Sequence, residues 1–375
     1  MNFEDFKKEV TDRIKDFLPE KYADAKVSIT SVIKNNDKKL DGLMIKLEDS
    51  NIAPNIYLED FYKEHENGRS MEDILGKIAA IREKYDRPQN FDVKKITDFD
   101  TVKDRIICRL VNAEQNAEYL KDKPHKMIDD LAVTYHVAIG REDGATMSAP
   151  ITERMMEAYG IDVDQLHKIA VENIDNLSSV NFKSLSDTVI DMMLPEMMRD
   201  GMSEEEAKVM IKSMVPPTPE NNVYVLTNED KLHGAAMILS DKVMDDVTEK
   251  IGQDFYILPS SLHEVLIVPK TEEVDLRTLE NMVRDVNASQ VEPEDRLSDH
   301  VYDYDAKEHE LFRADKAEER AAAKESKVSK EEVRAEKKER PSLRERLSQK
   351  KEIVAKNAAN REPNQIKKDR GQALA

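Results

Sequence analysis

The 375-residue chain has no tryptophan, one cysteine and ten glycines, and aromatic residues make up only 5% of it. A single cysteine, Cys108, excludes an internal disulfide and any zinc site built on paired thiolates. Its setting, Ile106-Ile107-Cys108-Arg109-Leu110-Val111, is apolar and β-branched, which predicts a buried structural thiol rather than an exposed nucleophile. The glycines form neither a dinucleotide fingerprint nor a phosphate loop closed by Lys and Ser or Thr. A zincin pattern fails as well. His309-Glu310-Leu311-Phe312-Arg313 lacks a second histidine, and His65-Glu66 runs into Asn67-Gly68. No apolar run approaches membrane-spanning length and the opening Met1-Asn2-Phe3-Glu4-Asp5 is acidic, so neither a bilayer nor a secretory route is expected; cytoplasmic residence is the default.

What the chain does have is charge. Charged residues make up 36% and the formal net charge is -19, beside a hydrophobic content of 39% that is enough for real cores. The charge is segregated: Leu311 to Ala375 holds 19 of the 58 basic and 12 of the 77 acidic residues, a balance of +7, which leaves -26 on the remainder. A solvated charged helix is the first expectation for such a tail; folding back on the acidic body and reaching an anionic partner are the rivals.

Periodicity predicts an α+β fold of two domains, with antiparallel sheets covered by helices, followed by a charged helical or disordered tail. Residues 1–180 form the N-terminal domain. Phe3, Phe6, Val10, Ile14 and Phe17 make a helical stripe stopped by Pro19, and Val27 to Ile33 and Leu43 to Leu47 alternate as a hairpin. Strands are expected at Ile56 to Leu58, Ile106 to Val111 and Leu131 to Ile139, with helices after Ser70, at Thr152 to Tyr159 and at Val163 to Leu177. Residues 181–220 are a helical junction in which seven of the 17 methionines lie between Met192 and Met214, closed by a stiff Pro216-Pro217-Thr218-Pro219 spacer. Residues 221–305 read as ββαββα: strands at Val223 to Leu226 and Ala235 to Leu239, a helix capped by Ser240 and ended by Gly252, strands at Phe255 to Leu258 and Val265 to Val268, and a helix through Leu276 and Val286. Its helices are expected on one face of the sheet. Residues 306–375 form the tail, where Pro341 starts a short helix carrying Leu343, Leu347 and Val354 on one face beside Arg344 and Arg346.

Candidate chemistry is sparse. Ser261, His263 and Glu264 place a hydroxyl, an imidazole and a carboxylate close together, as a hydrolase would need, but a Pro-Ser turn between strands explains the same residues. His300, Asp303 and Asp305 offer metal-compatible nitrogen and oxygen, although Tyr302 and Tyr304 fit an ordinary terminal strand equally well. His136 reads as a satisfied histidine within a strand. The tail lacks interleaved stacking aromatics, so nucleic acid would bind only weakly, through charge.

Four runs carry a family resemblance: Asn2-Phe3-Glu4-Asp5-Phe6, Asn51 through Leu58, Val102-Lys103-Asp104-Arg105-Ile106, and Asp254 through Glu264. Through them residues 1–305 resemble an uncharacterised bacterial domain-of-unknown-function family, DUF5688, a resemblance that implies no activity, cofactor or catalytic residue. The tail's Arg340-Pro341-Ser342-Leu343-Arg344-Glu345-Arg346-Leu347 is similar to short C-terminal segments of mobile-element-encoded proteins, implying an accessory role. The leading expectation is a non-enzymatic interaction protein that docks a protein partner through Leu343, Leu347, Val354, Arg344 and Arg346. The alternatives are a hydrolase using Ser261 and His263, and an acidic DNA mimic that occupies a host nucleic-acid-binding enzyme. The sequence points to no cofactor and assigns no oligomeric state.

Overall fold

The computed structural model describes residues 1–85, 92–142, 145–214, 223–259, 261–272, 274–325 and 343–359. The expected α+β class holds, with three antiparallel sheets among the described residues. The chain divides into two compact units, Met1–Asp315 and Lys316–Ala375.

The first unit opens with a three-stranded sheet of β1 (Lys26–Ile33), β2 (Lys39–Lys46) and β3 (Asn55–Tyr57), in that order. Helix Phe3–Arg13 lays Phe6 and Val10 on it, and helix Met71–Lys84 adds Ile74, Leu75 and Ile78. Each helix starts where a side chain takes up an orphan amide: Asn2 accepts from the Asp5 N–H, and Ser70 from the Asp73 N–H. Acidic first turns, Glu4 and Asp5 in one and Glu72 and Asp73 in the other, favour the same ends. These side chains close a core of their own.

The second sheet contains β4 (Ile106–Asn112), β5 (His125–Ile128), β6 (Leu131–Glu142) and β7 (Ala145–Pro150), with β4 and β5 flanking the first part of β6 and β7 pairing its second part. Strand alternation divides its chemistry between two faces. Ile106, Cys108 and Leu110, opposite Val137, Tyr135 and Val133, point into the core with Leu166, Ala170 and Ile174 of helix Val163–Leu177. Ile107, Arg109 and Val111, opposite His136, Thr134 and Ala132, point the other way.

The third sheet runs β13-β12-β10-β11-β9-β8, from β8 (Val180–Ser184), β9 (Tyr224–Asn228), β10 (Phe255–Leu258), β11 (Val265–Pro269), β12 (Tyr302–Asp305) and β13 (Glu310–Arg313). Its helices occupy opposite faces rather than the single face expected. Val243 and Val247 of helix Asp241–Ile251 pack with Phe255 and Ile257, whereas Leu279 and Val283 of helix Leu276–Ser289 pack with Leu258 and Val268. Both sides of β10 and β11 are apolar, so both need cover. The capping residues of the first helix are as expected, with Ser240 accepting from the Val243 N–H and Gly252 left-handed at φ 72.

Two boundaries and one element differ from the sequence reading. β8, placed in the junction, pairs with β9; β13, placed in the tail, pairs with β12, so the folded body continues to Asp315. One core also draws on residues from both sides of the supposed domain border, among them Leu166, Ala170, Leu226 and Ile257. Local composition carries no trace of such long-range pairing. Ala235–Leu239, expected as a strand, belongs to a 3-10 helix, Gly234–Leu239. An apolar run without alternation fits a buried turn as well as a strand, and Ala235, Ala236, Met237 and Ile238 are all buried.

The junction has its expected helices, Leu185–Arg199 and Glu204–Met214; the Pro216–Pro219 spacer lies outside the described residues. The second unit contains helix Leu343–Ala359. Among the described residues no helix is long and apolar enough to cross a membrane.

Candidate functional site

The face of the second sheet turned away from helix Val163–Leu177 forms the floor of a cleft of about 860 Å³. β4 contributes Arg109, β6 His136 and β7 Ser148, whose Oγ accepts a 2.7 Å hydrogen bond from Arg109 Nη2. His233 enters from a tight turn in which Lys231 and His233 both take positive φ, at 52 and 53. The turn closes because Gly234 has no Cβ: a methyl there would collide with Thr227, Asn228 and the His263 carbonyl. His263 follows on the turn after β10, with Nδ1 accepting from the His233 N–H at 3.3 Å and Nε2 lying 3.2 Å from Asp295.

One wall is the tip of the β1–β2 hairpin. Asn36 and Asp37 are left-handed there, at φ 56 and 48. Asn36 Nδ2 donates to the Pro293 carbonyl, Asn116 Nδ2 donates to Asn36 Oδ1, and Asp37 accepts from the Glu118 and Tyr119 N–H groups. The tip therefore fastens the first sheet across two loops of the body.

The floor is electrostatically incomplete. Arg109 is half-buried, but its Nε is shielded from solvent, and among the described residues that Nε has no hydrogen-bond partner and the guanidinium no carboxylate partner. Burial lowers its pKa to about 10 despite the neighbouring Tyr119, and burial raises Tyr119 to about 12 against the pull of Arg109. His136 is 4% exposed; Nε2 lies 3.5 Å from the Tyr119 hydroxyl, and Nδ1 has no partner among the described residues. Burial first, then the positive charge of Arg109, holds its pKa well below the usual histidine range. The same two causes bring His233 to about 3, and its Nδ1 is also unpartnered. Two neutral imidazoles and one unpaired guanidinium thus share a cleft.

The expected hydrolytic group is assembled differently. Ser261 is buried and its Oγ accepts from the His263 backbone N–H at 3.0 Å, while both His263 ring nitrogens face other partners. No hydroxyl among the described residues is therefore activated by that imidazole. Glu264 is half-buried beside it. Of the metal candidates, Asp303 is paired with Lys270 at 2.6 Å, and Asp305 accepts from the Lys307 and Glu308 N–H groups in the β12–β13 turn. His300 instead joins Glu280 and Asp315, whose ligand atoms and its own lie within 4.8 Å of one another. In the tail helix Leu347 and Val354 are exposed at 56% and 67%; the side chains of Leu343, Arg344 and Arg346 lie outside the described residues.

Sequence reading passed over Arg109, Tyr119 and His233, and took His136 as satisfied. The available signal was an arginine inside the β-branched run Ile106 to Val111, where alternation puts it on the face opposite Cys108.

The model of a family of unknown function, DUF5688, matches residues 3–306. The chain belongs to DUF5688. No curated protein and no solved structure matches it. The DUF5688 stretch contains Arg109, Tyr119, His136, His233, His263 and Asp295, so the whole cleft lies within it.

Proposed function

We propose that this DUF5688 chain binds a small anionic ligand, bearing phosphate or carboxylate, in the cleft over the second sheet. The observation that carries the reading is Arg109. A guanidinium is always charged, and one withdrawn from water without a counter-charge costs several kcal/mol, of order 3–5 when a buried pair is broken. An anion at Nε and Nη2 would supply the missing charge. His136 and His233, kept neutral by burial, offer ring nitrogens as hydrogen-bond groups whose charge does not change near neutral pH. Lys34 and Lys39 on the hairpin wall add positive charge to a lining that also holds Glu59, Asp60, Glu294 and Asp295.

Calorimetric titration of the full chain with inorganic phosphate and, separately, with succinate tests this. A saturable Kd below about 1 mM for either anion, lost in Arg109→Met, supports it, and the better anion identifies the class. Heat that fails to saturate with both anions overturns it.

A second reading, an accessory protein that docks a protein partner, is favoured by the junction helices. Met192, Met198, Met210 and Met214 are exposed there, as unbranched side chains suited to adaptable contacts. Photo-crosslinking from Met192 in the native cell should then give one dominant adduct, and a diffuse ladder would count against it.

A further inference from the structure

We propose that Glu280, His300 and Asp315 form a binding site for a divalent cation of the zinc type, separate from the cleft. Three elements converge on it. Tyr302 of β12 lies opposite Arg313 of β13, so His300, two residues before the one, and Asp315, two residues after the other, emerge from the same end of the hairpin. Helix Leu276–Ser289 brings Glu280 to that end.

The three ligand atoms lie within 4.8 Å of one another, a span that one ion can bridge. His300 Nδ1 and Glu280 Oε1 face each other at 3.6 Å, too far for a hydrogen bond, and both atoms are shielded from solvent with no hydrogen-bond partner among the described residues. Two polar atoms that have lost water and gained nothing need an explanation. A cation between them satisfies both at once.

The surroundings hold the carboxylates in place. Arg284 Nη2 donates to Glu280 Oε2 at 2.9 Å, leaving Oε1 for the gap, and Arg313 grips Asp315 through Nε and Nη2 at 3.0 and 2.6 Å. Such outer contacts orient ligands, and their positive charge moderates affinity. One imidazole nitrogen with two carboxylate oxygens suits zinc better than calcium or magnesium, which take mainly oxygen, and three protein ligands leave a fourth position for water.

The test uses the full chain, stripped with a chelator and titrated with zinc chloride by calorimetry, with cobalt absorption reporting coordination. One equivalent is expected. His300→Ala and Asp315→Asn should each weaken binding about tenfold or more. Asp315 closes the compact unit, so its variant keeps the test open if loss of His300 disturbs folding. His263→Ala, which removes an imidazole from the cleft, should leave the zinc affinity unchanged. A wild-type chain that takes up no zinc, an Asp315→Asn chain that binds as tightly as wild type, or a loss of binding in His263→Ala overturns the site.

Discussion

Two buried polar clusters tie the second sheet to the third, and they are built to opposite standards. Asp130, on the turn between β5 and β6, accepts from the Tyr302 hydroxyl and from Ser298 Oγ, each at 2.6 Å, with Arg313 Nη1 3.9 Å away. Asp129 beside it accepts from the Arg313 N–H at 2.8 Å. Both Asp130 oxygens have partners, and burial with that carboxylate pushes the Tyr302 hydroxyl far up, so it stays a donor. The Arg109 cluster joins the same sheets, yet an arginine and two histidines in it have nitrogens without a partner among the described residues. A complete cluster fixes the fold; an incomplete one leaves bonds for something else to make.

That contrast can be broken by mutation. Asp130→Ala strands the Tyr302 and Ser298 hydroxyls, two buried donors, while Arg313 keeps Asp315, so it should cost about 2–5 kcal/mol in chemical denaturation, the largest effect expected in the molecule. A loss under about 1 kcal/mol would mean that the complete cluster is not what holds the sheets together.

The pH dependence sharpens the other side. His233 has a folded pKa of about 3 against about 6.5 when unfolded, so acid protonates the unfolded chain first. Its contribution is therefore complete above about pH 6.5 and is lost as pH falls toward 3, with a slope of up to about 1.4 kcal/mol per pH unit. His233→Asn, an exchange that tolerates the left-handed backbone, should reduce the slope between those limits and leave the share that His136 contributes; an unchanged slope would show that the His233 imidazole is not held neutral. Ser261→Ala removes one acceptor from the His263 N–H and should cost only about 1 kcal/mol, with anion binding intact. Loss of binding there would return Ser261 to the site.

Most local structure was legible before the fold was known. The stripes at Phe6 and Val10 and at Ile74 and Ile78, the Ser70 and Ser240 caps and the Gly252 stop each depend on residues within one or two turns of each other. What could not be read depends on partners far away in the chain. Arg109 meets Ser148 across a sheet and His233 across more than a hundred residues, and His300 meets Asp315 through a strand register. Of the site residues picked from sequence, His263 and His300 do lie in polar clusters, but their imidazoles meet partners other than Ser261, Asp303 and Asp305. Two apolar faces on the third sheet and the run Ala235 to Leu239 misled for the same reason: hydrophobicity says that a residue is buried, not what buries it.

The most direct test compares the melting of wild type and Arg109→Met, each with and without inorganic phosphate. Replacing an unpaired buried guanidinium by an apolar side chain of similar reach should leave the ligand-free protein as stable or about 1 kcal/mol more stable. Phosphate at a hundredfold excess over Kd should stabilise the wild type by about 2.7 kcal/mol and the variant not at all. An Arg109→Met chain that melts several degrees lower, or that phosphate stabilises as much as the wild type, would show that the arginine serves the fold and not a ligand.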